Sequence, residues 1–173
     1  MVGTMLEQSD RPVPGHLTTD AVLVSAVGFQ DPMATRLIAA ALADLAERYG
    51  GPGDATPTAA AEFTPPVGGF FVATLDGVPA GCGGWRTLHG QPEVAEIKRM
   101  YTVPTCRGRG VARAVLTAIE SAARVAGRRR AWLETGTRQP EAIGMYQRCG
   151  YRLIPNFGHY RDEPECRSFG RDL

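Results

Sequence analysis

Apolar positions along the chain fall into alternating strand and helix rhythms. Residues 21–27 (AVLVSAV) form a short apolar run that predicts a strand. Asp31 then offers an N-cap before Pro32, and Leu37, Ile38, Ala41, Leu42 and Leu45 recur at helical spacing until Gly50 and Gly51. Residues 50–69 mix Gly, Pro and Thr with a short alanine run, predicting a loop with one helical turn. FFVATL at 70–75 and the run 78–85 flank Asp76-Gly77, a pair that readily takes the positive φ angles of a tight hairpin turn. Residues 93–103 (EVAEIKRMYTV) predict a long strand with apolar Ala95, Ile97, then Met100 and Tyr101. The alternation slips at Lys98-Arg99, as it does at a bulge. From 109 to 126, Ala112, Val115, Leu116, Ile119, Ala122, Ala123 and Ala126 form one apolar stripe, opposite Arg113, Thr117, Glu120, Ser121 and Arg124; Gly127 ends the helix. A strand at 130–134 (RAWLE), a helix at 140–149 closed by Gly150, and strands at 151–154 and 166–173 complete the order, with no internal repeat. The pattern predicts a mixed α/β or α+β domain built on one sheet over residues 20–173, after an irregular lead-in at 1–19.

The chain is 173 residues long with 43% hydrophobic and 21% charged residues, which fits one globular domain and excludes collagen-like or wholly disordered classes. The apolar run in the strongest helical segment, 37–43, is seven residues, against about 20 for a membrane span. Residues 1–10 carry Glu7 and Asp10 and lack a basic leader, so a cytoplasmic protein that does not enter a membrane is expected. Cys82, Cys106, Cys149 and Cys166 are at least 17 residues apart, and His16, His89 and His159 form no ligand pair. Neither a C-x-x-C site nor a metal site is expected, and the thiols read as buried or half-buried.

The net charge of +1 is a cancellation: residues 1–95 hold 4 basic and 10 acidic side chains, residues 96–173 hold 15 and 8. The run Arg128-Arg129-Arg130 follows a helix C-terminus, where cations offset the dipole. It lacks interleaved aromatic residues, so a solvated cap is expected rather than a nucleic-acid surface.

The chemistry concentrates at Arg107-Gly108-Arg109-Gly110-Val111-Ala112, between a predicted strand and a predicted helix. Glycines there let the backbone turn its N–H groups inward at a helix N-terminus, which makes a cradle for phosphate or pyrophosphate. A Walker A loop is excluded, because the one lysine of the chain, Lys98, lies in the strand; a dinucleotide fingerprint would need glycine where Arg113 stands. The stretch matches the pattern R/Q-x-x-G-x-G/A through Arg107, Gly110 and Ala112. With AEIKRMYTV before it, and WLETG and AIGMYQRCGYRLI after it, the sequence over residues 70–173 resembles the GNAT superfamily of N-acetyltransferases.

That resemblance implies a mixed, mostly antiparallel sheet of six or seven strands that opens around acetyl-CoA. It implies that the backbone of Arg107, Gly108, Arg109, Gly110, Val111 and Ala112 holds the pyrophosphate, that Met100, Tyr101 and Thr102 pair with the pantetheine arm, and that an N–H near Met100 polarises the thioester carbonyl. Gln139 stands where the family often has a cofactor-contacting Asn. Glu96, in the AEI of the central strand, matches the family's carboxylate base, acting through water; its alternative role is a structural partner for Lys98 or Arg99. Glu134 is a second carboxylate candidate. Tyr146 matches the family's general acid, with core filling as its alternative. The implied reaction is acetyl transfer to a primary amine of a small molecule or peptide, by direct attack in a ternary complex. The acceptor side would be about residues 29–70 and 155–166, largely in the acidic half, which favours a cationic amine; the family also admits homodimers. A non-catalytic CoA-binding module and a nucleic-acid-binding domain are the competing classes, the first opposed by the presence of both Glu96 and Tyr146.

Overall fold

The computed structural model describes residues 21–173; the lead-in expected at 1–19 lies outside the described residues. In chain order the elements are β1 (Val22–Val27), α1 (Pro32–Tyr49), β2 (Gly68–Leu75), β3 (Val78–Leu88), β4 (Gln91–Thr102), α2 (Val111–Val125), β5 (Arg130–Gly136), α3 (Pro140–Arg148), β6 (Arg152–Ile154) and β7 (Cys166–Asp172). Single 3-10 turns occur at Ala60–Phe63 and Pro104–Cys106. The seven strands form one sheet in the order β1-β2-β3-β4-β5-β7-β6, antiparallel except for the β4/β5 pair.

Local chemistry accounts for the element ends. Asp31 accepts hydrogen bonds from the N–H groups of Met33 and Ala34 at 2.8 and 3.4 Å, and Pro32 opens α1. Asp76 (φ 52°) and Gly77 (φ 81°) make the tight turn between β2 and β3. α2 starts two residues after the expected start at 109, because Gly108 (φ 77°) and Gly110 (φ 82°) are left-handed and end the preceding loop instead of starting a helix.

The two faces of the sheet carry separate cores. One gathers Ile97, Val115, Leu116, Ile119, Leu133, Tyr146, Tyr151 and Phe169 around α2. The other gathers Ala34, Leu37, Phe63, Phe70, Val72 and Cys82 beneath α1, with Phe29 stacked on Phe63 at 4.5 Å.

Two irregularities in β4 position the site. Between Cys82↔Tyr101 and Gly84↔Lys98 the register places one residue of β3, Gly83, opposite two of β4, Arg99 and Met100. This is the expected bulge, with Arg99 at φ 59°. A Cβ on Gly83 would meet the Met100 sulfur and, at 3.1 and 3.2 Å, the methyl groups of Val115 and Ile119, so a side chain there would displace the packing opposite the bulge. Further, β4 pairs with β5 only from Val94↔Arg130 to Ile97↔Leu133. Both strands continue, β4 to Thr102 and β5 to Gly136, and there they part.

The arginine run differs from the solvated cap its position suggests. Arg128 donates to the carbonyls of Pro92 and Pro66 and lies over the Trp85 ring; Arg130 pairs with Glu93 and lies over Trp132. Both tie strand ends together.

Candidate active site

The parting of β4 and β5 opens a cleft of about 760 Å³. Its walls include Met100, Tyr101, Thr102, Arg107, Gly108, Gly110, Val111, Ala112, Gln139 and Tyr146, and also Lys98, Glu134, Tyr160 and Glu163. Thus the structure brings together every residue singled out from the sequence except Arg109 and Glu96, which do not line it.

At one end stands the N-terminus of α2. Gly110 is its N-cap in the left-handed conformation, with no side-chain cap, and the first helical bond runs from Ala114 N–H to the Gly110 carbonyl at 3.0 Å. The N–H groups of Val111, Ala112 and Arg113 therefore stand at an uncapped, positive helix end suited to an anion. The arginine side chains of this loop are turned to carboxylates of the protein: Arg107 pairs with Asp44 of α1 at 3.2 Å and donates to the Thr102 carbonyl, and Arg109 lies 3.6 Å from Asp76.

Along the middle, the edge of β4 that would face β5 has no strand partner over residues 98–102 among the described residues, leaving a ladder edge for an extended, amide-bearing chain. Gln139 is the N-cap residue of α3 and makes no side-chain cap bond. Tyr146 reaches the cleft from α3 and is 5% exposed, edge-on to Tyr151 at 5.7 Å. Burial, reinforced by Cys149, pushes its phenol above the ordinary tyrosine range, so it stays a proton donor at neutral pH. Tyr151 is committed elsewhere, donating to Glu120 at 2.9 Å.

At the other end lies a buried row of charges on one face of β3, β4 and β5. Glu96 is 2% exposed, with one carboxylate oxygen 2.7 Å from Arg86 Nε and the other 3.4 Å from Lys98 Nζ. Its structural partners are thus Arg86 and Lys98; Arg99 turns instead to Asp54. Lys98 also reaches Glu134 at 3.5 Å and Thr56 Oγ1 at 3.3 Å. Glu134 does line the cleft. It accepts from the Tyr160 N–H at 3.2 Å, and burial raises its pKa, reinforced by Glu96 and opposed by Lys98 and that N–H. Asp54 accepts from the Tyr160 hydroxyl at 3.0 Å; burial would raise its pKa, but Lys98, Thr56 and Arg99 together outweigh burial and lower it.

Sequence reasoning named Lys98 as a structural partner of Glu96 but missed Asp54, Gly158 and Tyr160 as parts of this end. Gly158, at φ 73°, passes so close to Glu134 that a Cβ would lie 2.9 Å from its carboxylate. A glycine in an irregular connection is the faint signal that pointed there. Among the described residues, no group of three or more His, Cys, Asp or Glu side chains converges on a common point.

The sequence model of the acetyltransferase (GNAT) family matches residues 39–151. The chain belongs to the GNAT family. An IAA acetyltransferase of Azospirillum brasilense is 37% identical over 95 residues, and an uncharacterised N-acetyltransferase of Escherichia coli is 31% identical over 93. These matches cover 55% and 53% of the chain and span 61% and 56% of those relatives' lengths. A Klebsiella pneumoniae structure provisionally named an acyl-CoA N-acyltransferase superposes with a TM-score of 0.72 at 26% identity, over 88% of this chain and 97% of that one. A GNAT acetyltransferase of Elizabethkingia anophelis with acetyl-CoA bound shares the fold, with a TM-score of 0.63 at 16% identity over 88% and 98% of the two chains. GNAT proteins use acetyl-CoA. Among the described residues, no helix is long and apolar enough to cross a membrane.

Proposed function

We propose that this GNAT protein is an N-acetyltransferase that moves an acetyl group from acetyl-CoA to a primary amine by direct attack in a ternary complex. The observation that carries this reading is that one cleft holds an uncapped helix N-terminus, an unpartnered strand edge, a protonated phenol and a buried carboxylate. The backbone from Arg107 to Ala112 receives the pyrophosphate, with Gln139 beside it, and Met100, Tyr101 and Thr102 receive the pantetheine. An N–H near Met100 polarises the thioester carbonyl.

An amine with a solution pKa near ~10 enters mostly as ammonium and must lose a proton before attack. Glu134, which lines the cleft, takes it; Glu96, held between Arg86 and Lys98, acts from behind. Tyr146 protonates the departing thiolate and regains a proton from the nitrogen, which sheds its second one as the tetrahedral intermediate collapses to the amide. Glu134 and Glu163 favour a cationic acceptor. Thiol release from acetyl-CoA with putrescine, tyramine, lysine and a short peptide bearing a free N-terminal amine tests the reading. Turnover with at least one amine is expected; tight CoA binding without release for any of them would make the chain a binding module instead.

A further inference from the structure

The buried charge row does not stop at the cleft. A second, smaller pocket of about 300 Å³ lies beside it, lined by Glu62, Arg86, His89, Glu96, Phe157 and His159. The segment 157–160 separates the two: Phe157, Gly158 and His159 face the small pocket, and Tyr160 faces the cleft. Beneath this partition Glu134 in the cleft, Lys98, and Glu96 in the small pocket form a continuous chain, with Lys98 Nζ at 3.5 Å from one carboxylate and 3.4 Å from the other. All three side chains are 5% exposed or less. The surrounding charges nearly balance: Arg86 serves Glu62 and Glu96, and Arg99 serves Asp54, leaving Lys98 as one cation shared by two carboxylates.

We infer that Glu96 and Lys98 form a proton exit, carrying the acceptor's proton from Glu134 to water in the second pocket while the cleft is filled by both substrates. The inference rests on the acetyl-transfer reading above. The step balances without any further reactant. The acceptor ammonium gives a proton to the Glu134 carboxylate; Glu134 passes it to Lys98 Nζ as Lys98 releases one of its own to Glu96; Glu96 gives that proton to water. Lys98 ends as the ammonium it began as, both glutamates end as carboxylates, and one proton has left for each amine acylated. A closed cleft needs such a route, because acetyl-CoA and the acceptor fill the direct one. Glu96 is then a positioning and relay residue, and its carboxylate is required rather than its shape.

The charged and titratable groups that face the relay are Arg86, Glu62, His89 and His159 around Glu96, and Asp54, Tyr160 and Cys166 around Lys98 and Glu134. The test is the pH profile of kcat at saturating acetyl-CoA and the panel amine turned over fastest, for the wild type, Glu96→Gln, Glu96→Asp and Glu134→Gln. Glu96→Gln keeps the hydrogen bond to Arg86 but cannot relay. It is expected to lower kcat roughly tenfold or more and to flatten the acid limb of kcat, since the amine's proton no longer equilibrates with solvent in the filled complex. Acetyl-CoA affinity and the KM of the amine should hold, and Glu96→Asp should recover most of the loss. A wild-type kcat and profile in Glu96→Gln overturns the relay, as does a loss that tracks melting temperature with an unchanged profile. If Glu134→Gln alone keeps wild-type kcat, the relay fails for want of its first member. Absence of turnover by the wild type with every amine overturns the functional reading and the relay with it, so the two failures are told apart by the wild type.

Discussion

At Tyr146 burial both fixes the ring against Tyr151 and holds the phenol in its protonated form. Tyr146→Phe keeps the packing and removes the proton donor. The chemical step should slow about 10²-fold or more, with acetyl-CoA affinity nearly unchanged, as rapid-quench kinetics and a binding titration will show; an unaltered rate removes Tyr146 from the chemistry. As the proposed base, Glu134 carries the opposite demand, since it must be ionised to act. Its pKa is raised by burial, so activity is lost as pH falls through a value above the ordinary glutamate range, and kcat should show its acid limb there. Folding has the matching sign: above that raised pKa the buried carboxylate costs stability, and its protonation at lower pH relieves that cost. The place of the 107–112 loop was legible in the sequence because glycines at a helix start are a local signal, whereas Tyr146 was singled out only through the family resemblance. The environment of Glu134 was not, because Lys98 and Tyr160 come from positions 36 and 26 residues away.

Among elements, the 155–165 connection was the least legible and carries the most at the acceptor end. Nothing in its hydrophobic pattern signals that it partitions two pockets, since it is fixed by a backbone N–H on Glu134, a hydroxyl on Asp54 and the ring of Phe157 against Trp132. Gly158→Ala tests that placement. The left-handed φ of 73° costs a non-glycine residue about 1 kcal/mol or more, and the new methyl group meets the Glu134 carboxylate. A lower melting temperature together with a several-fold lower kcat is expected; a stability loss without any kinetic effect would show that the segment does not position Glu134. The strands and helices themselves were legible because each carries its own period and its own caps, down to the slip at Lys98-Arg99.

For the whole molecule, the near-neutral sum of an acidic and a basic half is realised as contacts between them. Asp44 holds Arg107, Asp54 holds Arg99, Asp76 holds Arg109 and Glu93 holds Arg130, in each case an acid from the first 95 residues and a base from the rest. Part of the acidity expected to favour a cationic acceptor is therefore already neutralised; of the other acids lining the cleft, Glu141 pairs with Arg48 and Glu165 with Arg138, while Glu134 shares Lys98 with Glu96. On the proposed reading, the Asp44–Arg107 pair would compete with the CoA phosphates. Asp44→Asn should tighten CoA binding by about two- to fivefold, the strength of a half-exposed ion pair, and the difference should shrink as salt rises in calorimetric titrations. Weaker binding in Asp44→Asn would instead make Asp44 part of the site. The bulge at Arg99 works at the same scale, because one extra residue sets Lys98 toward the acceptor and Met100 toward α2. Deleting a single residue between Lys98 and Met100 would act as a frameshift in space, exchanging what each compartment of the protein receives from every position that follows.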